Sequence, residues 1–125
     1  MSDERPQIYD QNLMHHSQNP HNKGELKNPD LQASAENPNC GDKIKLGLNI
    51  KEGSIRDIKF DGYGCVLCIG SASILTQLAR GLSVADAKEL TLNDIEANIN
   101  DTGKKREECM AVGLNALKQA LSEEN

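Results

Sequence analysis

Residues 42–62 read DKIKLGLNIKEGSIRDIKFDG, with apolar and polar side chains alternating on both sides of a short turn. A spacing of two places the apolar side chains on one face of a strand, so the first half predicts a half-buried strand. KEGS (51–54) is a turn, and a second strand follows with Ile58 and Phe60 facing inward, which completes an antiparallel hairpin. The apolar residues of the first strand are Ile44, Leu46, Leu48 and Ile50.

The segments beside this hairpin define the rest of the fold. A shorter strand at Leu31–Glu36 is expected to pair alongside. After the hairpin the signals become helical, and the last helix has an apolar stripe that faces the sheet. Strands first and helices afterwards predict an α+β fold, a small three-stranded antiparallel sheet with helices packed on one face. The helical signals are a helix from Cys65 to Arg80 closed by Gly81, N-caps at Ser83 and Thr91, and a last helix from Lys104 to about Ser122 with Met110, Leu114, Leu117 and Leu121 in its stripe.

The N-terminal region is expected to be a short helix near Pro6–His16 followed by an irregular loop over residues 15–30. We find no internal repeat and no linker. Residues 1–125 are therefore expected to form one domain, in which residues 1–30 are able to move.

Composition narrows the class of protein. With one Phe, two Tyr and no Trp in 125 residues, the core must be aliphatic. A net charge of −5 argues against a nucleic-acid partner, which usually requires a basic face. The most apolar window, CVLCIGSASIL, is far shorter than the roughly 18 residues of a membrane span, and the N-terminus does not resemble a secretory signal. We expect a cytoplasmic protein whose four cysteines are thiols or metal ligands.

Three cysteines and one aspartate are candidates for a common site. Cys40 and Asp42 enter the first strand of the hairpin and Cys65 leaves the second, so the three lie at the same end. Cys109 is near the start of the last helix, and packing of that helix on the sheet could bring it to this end. Three thiolates and one carboxylate suit tetrahedral Zn²⁺ or the iron of a small iron–sulfur cluster, and residues alone leave that choice open.

The motifs around these residues resemble the IscU/SufU-type iron–sulfur cluster scaffold family, related to the NifU N-terminal domain. The resemblance is carried by NPNCGD at 37–42, by GYGC with SAS at 62–73, and by a cysteine in the last helix. The opening IYDQNLMHHSQNPHNKGEL is similar to the family's first helix and H-x-x-N-P-x-N-x-G loop. TLNDIEANI is similar to the segment before its last helix.

The resemblance implies a scaffold that assembles a [2Fe–2S] cluster and passes it to apo iron–sulfur proteins, as a carrier rather than an enzyme. Cys40, Asp42, Cys65 and Cys109 match the family's ligand positions. A cysteine desulfurase would supply persulfide sulfur to Cys109 or Cys40, and Zn²⁺ can occupy the site without a cluster. No nucleic acid or membrane is expected as a partner, and both a monomer and a homodimer are compatible with the sequence.

Some positions depart from the family pattern. The IscU branch has His before its last ligand cysteine, and Glu108 stands there. The SufU branch lacks that His and has an Arg three residues before the cysteine, which Arg106 matches. The step from Cys65 to Cys109 has IscU length, without the SufU insertion. TGKKR (102–106) replaces the Leu-Pro-Pro-Val-Lys segment that recruits an Hsp70 chaperone in the IscU branch.

Two alternatives remain open at the sequence level. One is a zinc-bound sulfur acceptor of the SufU kind. The other is a thiol-redox protein that uses Cys65-x-x-Cys68 at a helix N-terminus, although the βαβ setting usual for that motif is absent. Cys68 itself is either a small buried apolar residue or an additional ligand or persulfide relay.

Overall fold

A three-stranded antiparallel sheet forms the first half of the fold in the computed structural model, which describes residues 11–39, 41–99 and 107–123. Its strands β1 (Leu31–Asn37), β2 (Asp42–Lys51) and β3 (Ser54–Tyr63) lie in that order across the sheet. Glu52 and Gly53 in the β2–β3 turn have φ of 54° and 78°, as a type I′ hairpin turn requires. The predicted three-stranded sheet is confirmed.

Six helical segments lie in the described part of the chain, and two short ones begin at the predicted caps. The Ser83 hydroxyl accepts a hydrogen bond from the Asp86 N–H at 3.0 Å, and Thr91 forms a reciprocal capping box with Asp94. The helices are α1 (Gln11–Gln18), α2 (Val66–Ala79), α3 (Val84–Lys88), α4 (Leu92–Glu96), α5 (Glu107–Met110) and α6 (Val112–Leu121).

The first and last helices differ from their predicted bounds. Helix α1 continues two residues beyond the predicted His16, and residues 6–10 of its predicted start lie outside the described ranges. The last helix was predicted to be continuous, but it is divided at Ala111 into α5 and α6. The helical path itself continues, because the Ala111 N–H donates to the Glu107 carbonyl at 2.9 Å and its carbonyl accepts from the Asn115 N–H at 2.8 Å. Residues 104–106 lie outside the described ranges.

The core lies between the sheet and the helices. Ile44, Leu46 and Leu48 of β2 are fully buried, whereas Lys43 and Lys45, which alternate with the first two, are exposed. Helix α6 packs on β1 and β2 through its predicted stripe, and α2 packs against β3, so the helices cover one face of the sheet as predicted. Among the described residues, no helix combines the length and apolar character that a membrane span needs.

The segment after α1 runs along β3. The Gly24 N–H donates to the Phe60 carbonyl at 2.8 Å, and the Phe60 N–H donates to the Asn22 carbonyl at 3.0 Å. These two bonds form a short parallel bridge centred on Lys23. They continue the hydrogen-bond pattern of the sheet beyond its third strand.

Candidate metal centre

Asp42, Cys65 and Cys109 come together in the folded chain. A carboxylate oxygen of Asp42 and the two sulfurs all lie within 4.8 Å of one another. Donor atoms on one tetrahedral Zn²⁺ lie roughly 3.3–3.8 Å apart, given bond lengths of about 2.0–2.3 Å. Small side-chain rotations would therefore bring the three atoms onto a common ion.

The strand register explains why Asp42 and Cys65 meet. Lys43 pairs with Tyr63 at the end of the hairpin, so the start of β2 lies beside the exit from β3. Cys65 is the N-cap of α2 and has an extended backbone, with φ of −76° and ψ of 176°. Its N–H donates to Asp42 Oδ1 at 3.0 Å, which fixes the start of α2 against β2.

Asp42 is buried, and one of its carboxylate oxygens accepts no hydrogen bond from the described residues. The residue is 1% exposed, and Oδ2 has no hydrogen-bond partner among the described residues. A buried carboxylate oxygen without a partner is costly, and a bound cation removes that cost. The orphaned oxygen and two adjacent sulfurs are a donor set that fits Zn²⁺ or iron.

Gly64 has no side chain, and the Asp42 and Cys68 side chains occupy the space next to it. A Cβ at Gly64 would lie 2.7 Å from Asp42 Oδ1 and 2.8 Å from the Cys68 sulfur. Cys68 is fully buried in a cluster with Ile44 and Phe60, and it lies outside the group of three close ligand atoms. The structure therefore places Cys68 beside the site, in apolar surroundings, and a ligand role for it stays a prediction.

Asn37 contacts the site from the end of β1, and sequence reasoning missed it. Its side chain is 7% exposed, and Nδ2 donates to the Cys109 sulfur at 3.8 Å. Its Oδ1 accepts from the Asn39 N–H at 3.2 Å, and its backbone carbonyl accepts from the Gly41 N–H at 2.9 Å. The available signal was an Asn at the start of a loop, a residue type that commonly bonds the backbone two positions on.

Of three other predicted site residues, the structure describes only Glu108. Cys40 and Arg106 lie outside the described residues. Glu108 is exposed at the start of α5 and is absent from the group of three close ligand atoms. Glu108 therefore contributes no ligand to that group in place of the family's His.

The three histidines lie together, around α1 and α2. The ring centroids of His16 and His21 are 4.8 Å apart, and those of His15 and His16 are 5.9 Å apart. His16 Nδ1 is hydrogen-bonded to the Ser73 hydroxyl at 2.6 Å. Burial lowers the pKa of His16 below 6.5, and the charges of His21 and His15 lower it further.

Comparison with known proteins gives consistent matches. The family model described as the NifU-like N terminal domain matches residues 8–124. The chain is 29% identical over 114 residues to the iron–sulfur cluster assembly scaffold protein IscU 1 of Archaeoglobus fulgidus, covering 91% of this chain and 74% of that protein. It is 32% identical over 120 residues to the iron–sulfur cluster assembly enzyme IscU of Drosophila melanogaster, covering 93% and 77%. It is 37% identical over 84 residues to the zinc-dependent sulfurtransferase SufU of Bacillus subtilis, covering 67% and 56%.

Solved structures support the same fold. The structure is similar to a protein described as an iron–sulfur cluster assembly scaffold for the SUF system from Fervidobacterium islandicum AW-1, with a TM-score of 0.76 and 21% identity, covering 90% of this chain and 96% of that one. It is also similar to a NifU-like N-terminal protein from Brucella abortus, with a TM-score of 0.72 and 15% identity, covering 93% and 95%.

Proposed function

The chain belongs to the family of NifU-like N-terminal domains, and from that membership we propose that it is a scaffold for iron–sulfur cluster assembly. In this role it accepts iron and persulfide-derived sulfur, holds them as a [2Fe–2S] cluster and passes the cluster to apo iron–sulfur proteins. The single structural observation that carries the proposal is that ligand atoms of Asp42, Cys65 and Cys109 lie within 4.8 Å of one another, with Asp42 and Cys109 buried and Cys65 half-buried. Relatives named as IscU scaffold proteins support it.

The proposed ligands are Cys40, Asp42, Cys65 and Cys109. Cys40 lies in the loop between Asn37 and Asp42, whose ends are paired across β1 and β2, so the loop starts and ends beside the site. Asp42 Oδ2 is the proposed oxygen ligand, since Oδ1 already accepts from the Cys65 N–H. Oxygen is a harder and weaker donor than sulfur for sulfide-bridged iron, which suits a cluster that must leave.

Sulfur would arrive by persulfide transfer from a cysteine desulfurase. The thiolate of Cys109 or Cys40 attacks the outer sulfur of the desulfurase persulfide, an S–S bond forms on the scaffold, and the desulfurase thiolate leaves. A separate electron donor then reduces the transferred sulfur to sulfide as the cluster forms. The scaffold contributes position and ligands and needs no general base, so we class it as a carrier rather than an enzyme.

A zinc-bound sulfur acceptor is the second candidate. The relative named as a zinc-dependent sulfurtransferase favours it, and so does Glu108 at the position where the IscU branch has His. In this case Zn²⁺ holds the site, and exchange of one ligand frees Cys40 to accept the persulfide. The partners would be a desulfurase and a sulfur recipient. For either function we propose a cytoplasmic location and a monomer or homodimer, with neither nucleic acid nor membrane as a partner.

Anaerobic reconstitution separates the two functions. The protein would be incubated with iron, cysteine, a cysteine desulfurase and a thiol reductant that converts persulfide sulfur to sulfide, and visible absorption would report a [2Fe–2S] centre. We expect the absorption in the wild type and its loss in Cys40→Ser, Cys65→Ser and Cys109→Ser. If the protein holds zinc tightly and takes up no cluster, the result would contradict the scaffold function and favour the zinc-bound sulfur acceptor. Failure to bind either iron–sulfur cluster or zinc would contradict both.

Cys68→Ser is the matched control for these variants. It makes the same change one helical turn from Cys65, outside the group of three close ligand atoms. Unchanged cluster yield and lifetime in this variant would remove Cys68 as a ligand or relay. A shorter cluster lifetime in Cys68→Ser would indicate that Cys68 is a ligand or a persulfide relay.

A further inference from the structure

Asn37 connects the loop between β1 and β2 with Cys109 of α5. It is the last residue of β1, it pairs with Asp42 across the strands, and both residues are buried. The loop that contains Cys40 begins immediately after it. Its amide reaches Cys109, 72 positions away in the sequence.

The hydrogen bonds of Asn37 fix which end of its amide faces the sulfur. The Asn39 backbone N–H can only donate, so the atom that it contacts at 3.2 Å must be the Asn37 carbonyl oxygen. The NH₂ group then points toward the Cys109 sulfur at 3.8 Å. The Asn39 backbone N–H therefore orients the Asn37 side chain so that its NH₂ group donates to this sulfur.

Resting on the scaffold function proposed above, we propose that Asn37 is a positioning residue that holds the Cys109 sulfur in the site and withdraws electron density from it when it binds metal. An N–H donor to a metal-bound thiolate competes with the metal for the sulfur lone pairs. The bond makes Cys109 a weaker donor than it would be without Asn37. It also ties the position of Cys109 to the conformation of the Cys40 loop, since one side chain contacts both.

Asn37→Asp separates the two contacts of the side chain. A carboxylate still accepts from the Asn39 N–H, so the turn at the start of the loop is retained. The atom that faces Cys109 changes from a donor to an acceptor. Asn37→Ser removes the donor without adding a charge, because the shorter side chain does not reach the sulfur.

Cobalt(II) is the probe, because the energy of its sulfur-to-metal charge-transfer absorption reports the electron density on the ligand sulfur. We expect this absorption to move to longer wavelength in Asn37→Asp and in Asn37→Ser. In Asn37→Ser, a chelator competition with Zn²⁺ should show an affinity lowered roughly tenfold or more, because the loss of the position of Cys109 outweighs its gain in donor strength. Asn115→Asp, the same change at an exposed position of α6, should leave both measurements unchanged.

A double-mutant cycle tests whether the effect passes through Cys109. In a Cys109→Ser background, Asn37→Asp should no longer shift the cobalt absorption. A shift that persists there, or folded Asn37 variants with the wild-type spectrum and affinity, would overturn the proposal. Folded Asn37 variants that fail to bind cobalt would support the proposal if Cys109→Ser fails as well, and would overturn it if Cys109→Ser still binds cobalt. Failure of the wild type to bind cobalt would contradict the scaffold function instead.

Discussion

Gly64 is the residue with the least room at the site. An alanine Cβ would lie under 3 Å from both Asp42 Oδ1 and the Cys68 sulfur, closer than such atoms approach. Gly64→Ala is expected to displace Asp42, lower zinc affinity at least about tenfold and destabilise the fold by about 1–3 kcal/mol. Chelator competition and denaturant unfolding measure the two effects. Gly47→Ala on β2 is the control and should keep the zinc affinity of the wild type. Wild-type zinc affinity in Gly64→Ala would contradict the prediction.

Asp42 is expected to set the lifetime of the cluster. Asp42→Ala should lose its cluster more slowly than the wild type, because the most weakly bound donor is gone and Cys68 or water can take its place. Decay of the visible absorption after transfer to cluster-free buffer measures this. Asp42→Asn keeps an acceptor for the Cys65 N–H, so it separates ligation from support of α2. Faster cluster loss in the alanine variant would refute this role.

Residues differ in how far the sequence reveals their roles. Asp42 and Cys65 could be placed together from the hairpin alone, because strand pairing fixes which residues share an end. The proximity of Cys109 required knowledge of how the last helix crosses the sheet. Asn37 could not be assigned, since its contact with Cys109 exists only after that helix has packed.

At the scale of elements, the docking of α1 on α2 should depend on pH. His16 is buried and bonded to Ser73, and its pKa is lowered by burial and then by His21 and His15. As pH falls below about 6.5 the unfolded chain binds this proton before the folded chain does. The contribution to stability is therefore complete above pH 6.5 and is lost as pH falls through the lowered folded pKa.

Denaturant unfolding at a series of pH values measures this effect. His16→Gln removes the titrating group, so the loss of stability between pH 7 and pH 5 should be smaller in this variant than in the wild type. His15 is exposed on the same helix and makes the smallest of the three contributions that lower the pKa of His16, so His15→Gln should reduce the pH dependence less than His16→Gln does. An identical pH profile in His16→Gln and the wild type would show that the proton binds elsewhere.

Elements were predictable where one local rule dominates. The strict alternation of β2 and the caps at Ser83 and Thr91 gave correct elements, because period and capping act over a few residues. The division of the last helix at Ala111 had no such signal. Gly113 there lies close to Ala72 of α2, and a Cβ added to it would be 3.2 Å from the Ala72 Cβ. Such close crossing of two helices is a tertiary property.

For the whole molecule, bound metal should act as a cross-link between distant segments. The ligand atoms come from β2, the start of α2 and α5, so an ion that binds only the folded chain stabilises all three together. Free Zn²⁺ at 100 times its dissociation constant should raise the free energy of unfolding by about 2.7 kcal/mol. Thermal and denaturant unfolding with and without zinc measure it. Cys65→Ser should show little of this gain, and an equal gain would place the zinc elsewhere.

The same unfolding curves test the domain prediction. A chain that folds as one domain should give a single transition that far-ultraviolet circular dichroism and Tyr fluorescence report at the same denaturant concentration. Two separated transitions would show that the chain unfolds as more than one unit and would contradict the prediction. The sequence predicted one domain from the lack of a linker, and the packing of α1 against α2 accords with that expectation without testing it.

The strap formed by Asn22–Gly24 gives β3 a further property. Exposed strand borders invite pairing with other molecules, and this strap already occupies backbone groups of Phe60. Gly24→Pro removes one of its donors and cannot adopt the φ of 135° found there, so it should uncover the border and promote self-association at high concentration. Light scattering would reveal the assemblies, with Lys23→Ala, which retains the backbone bonds, remaining dispersed. In this view the N-terminal loop protects β3 against aggregation at Phe60, three residues before the end of the strand at Tyr63 that leads to the proposed metal site.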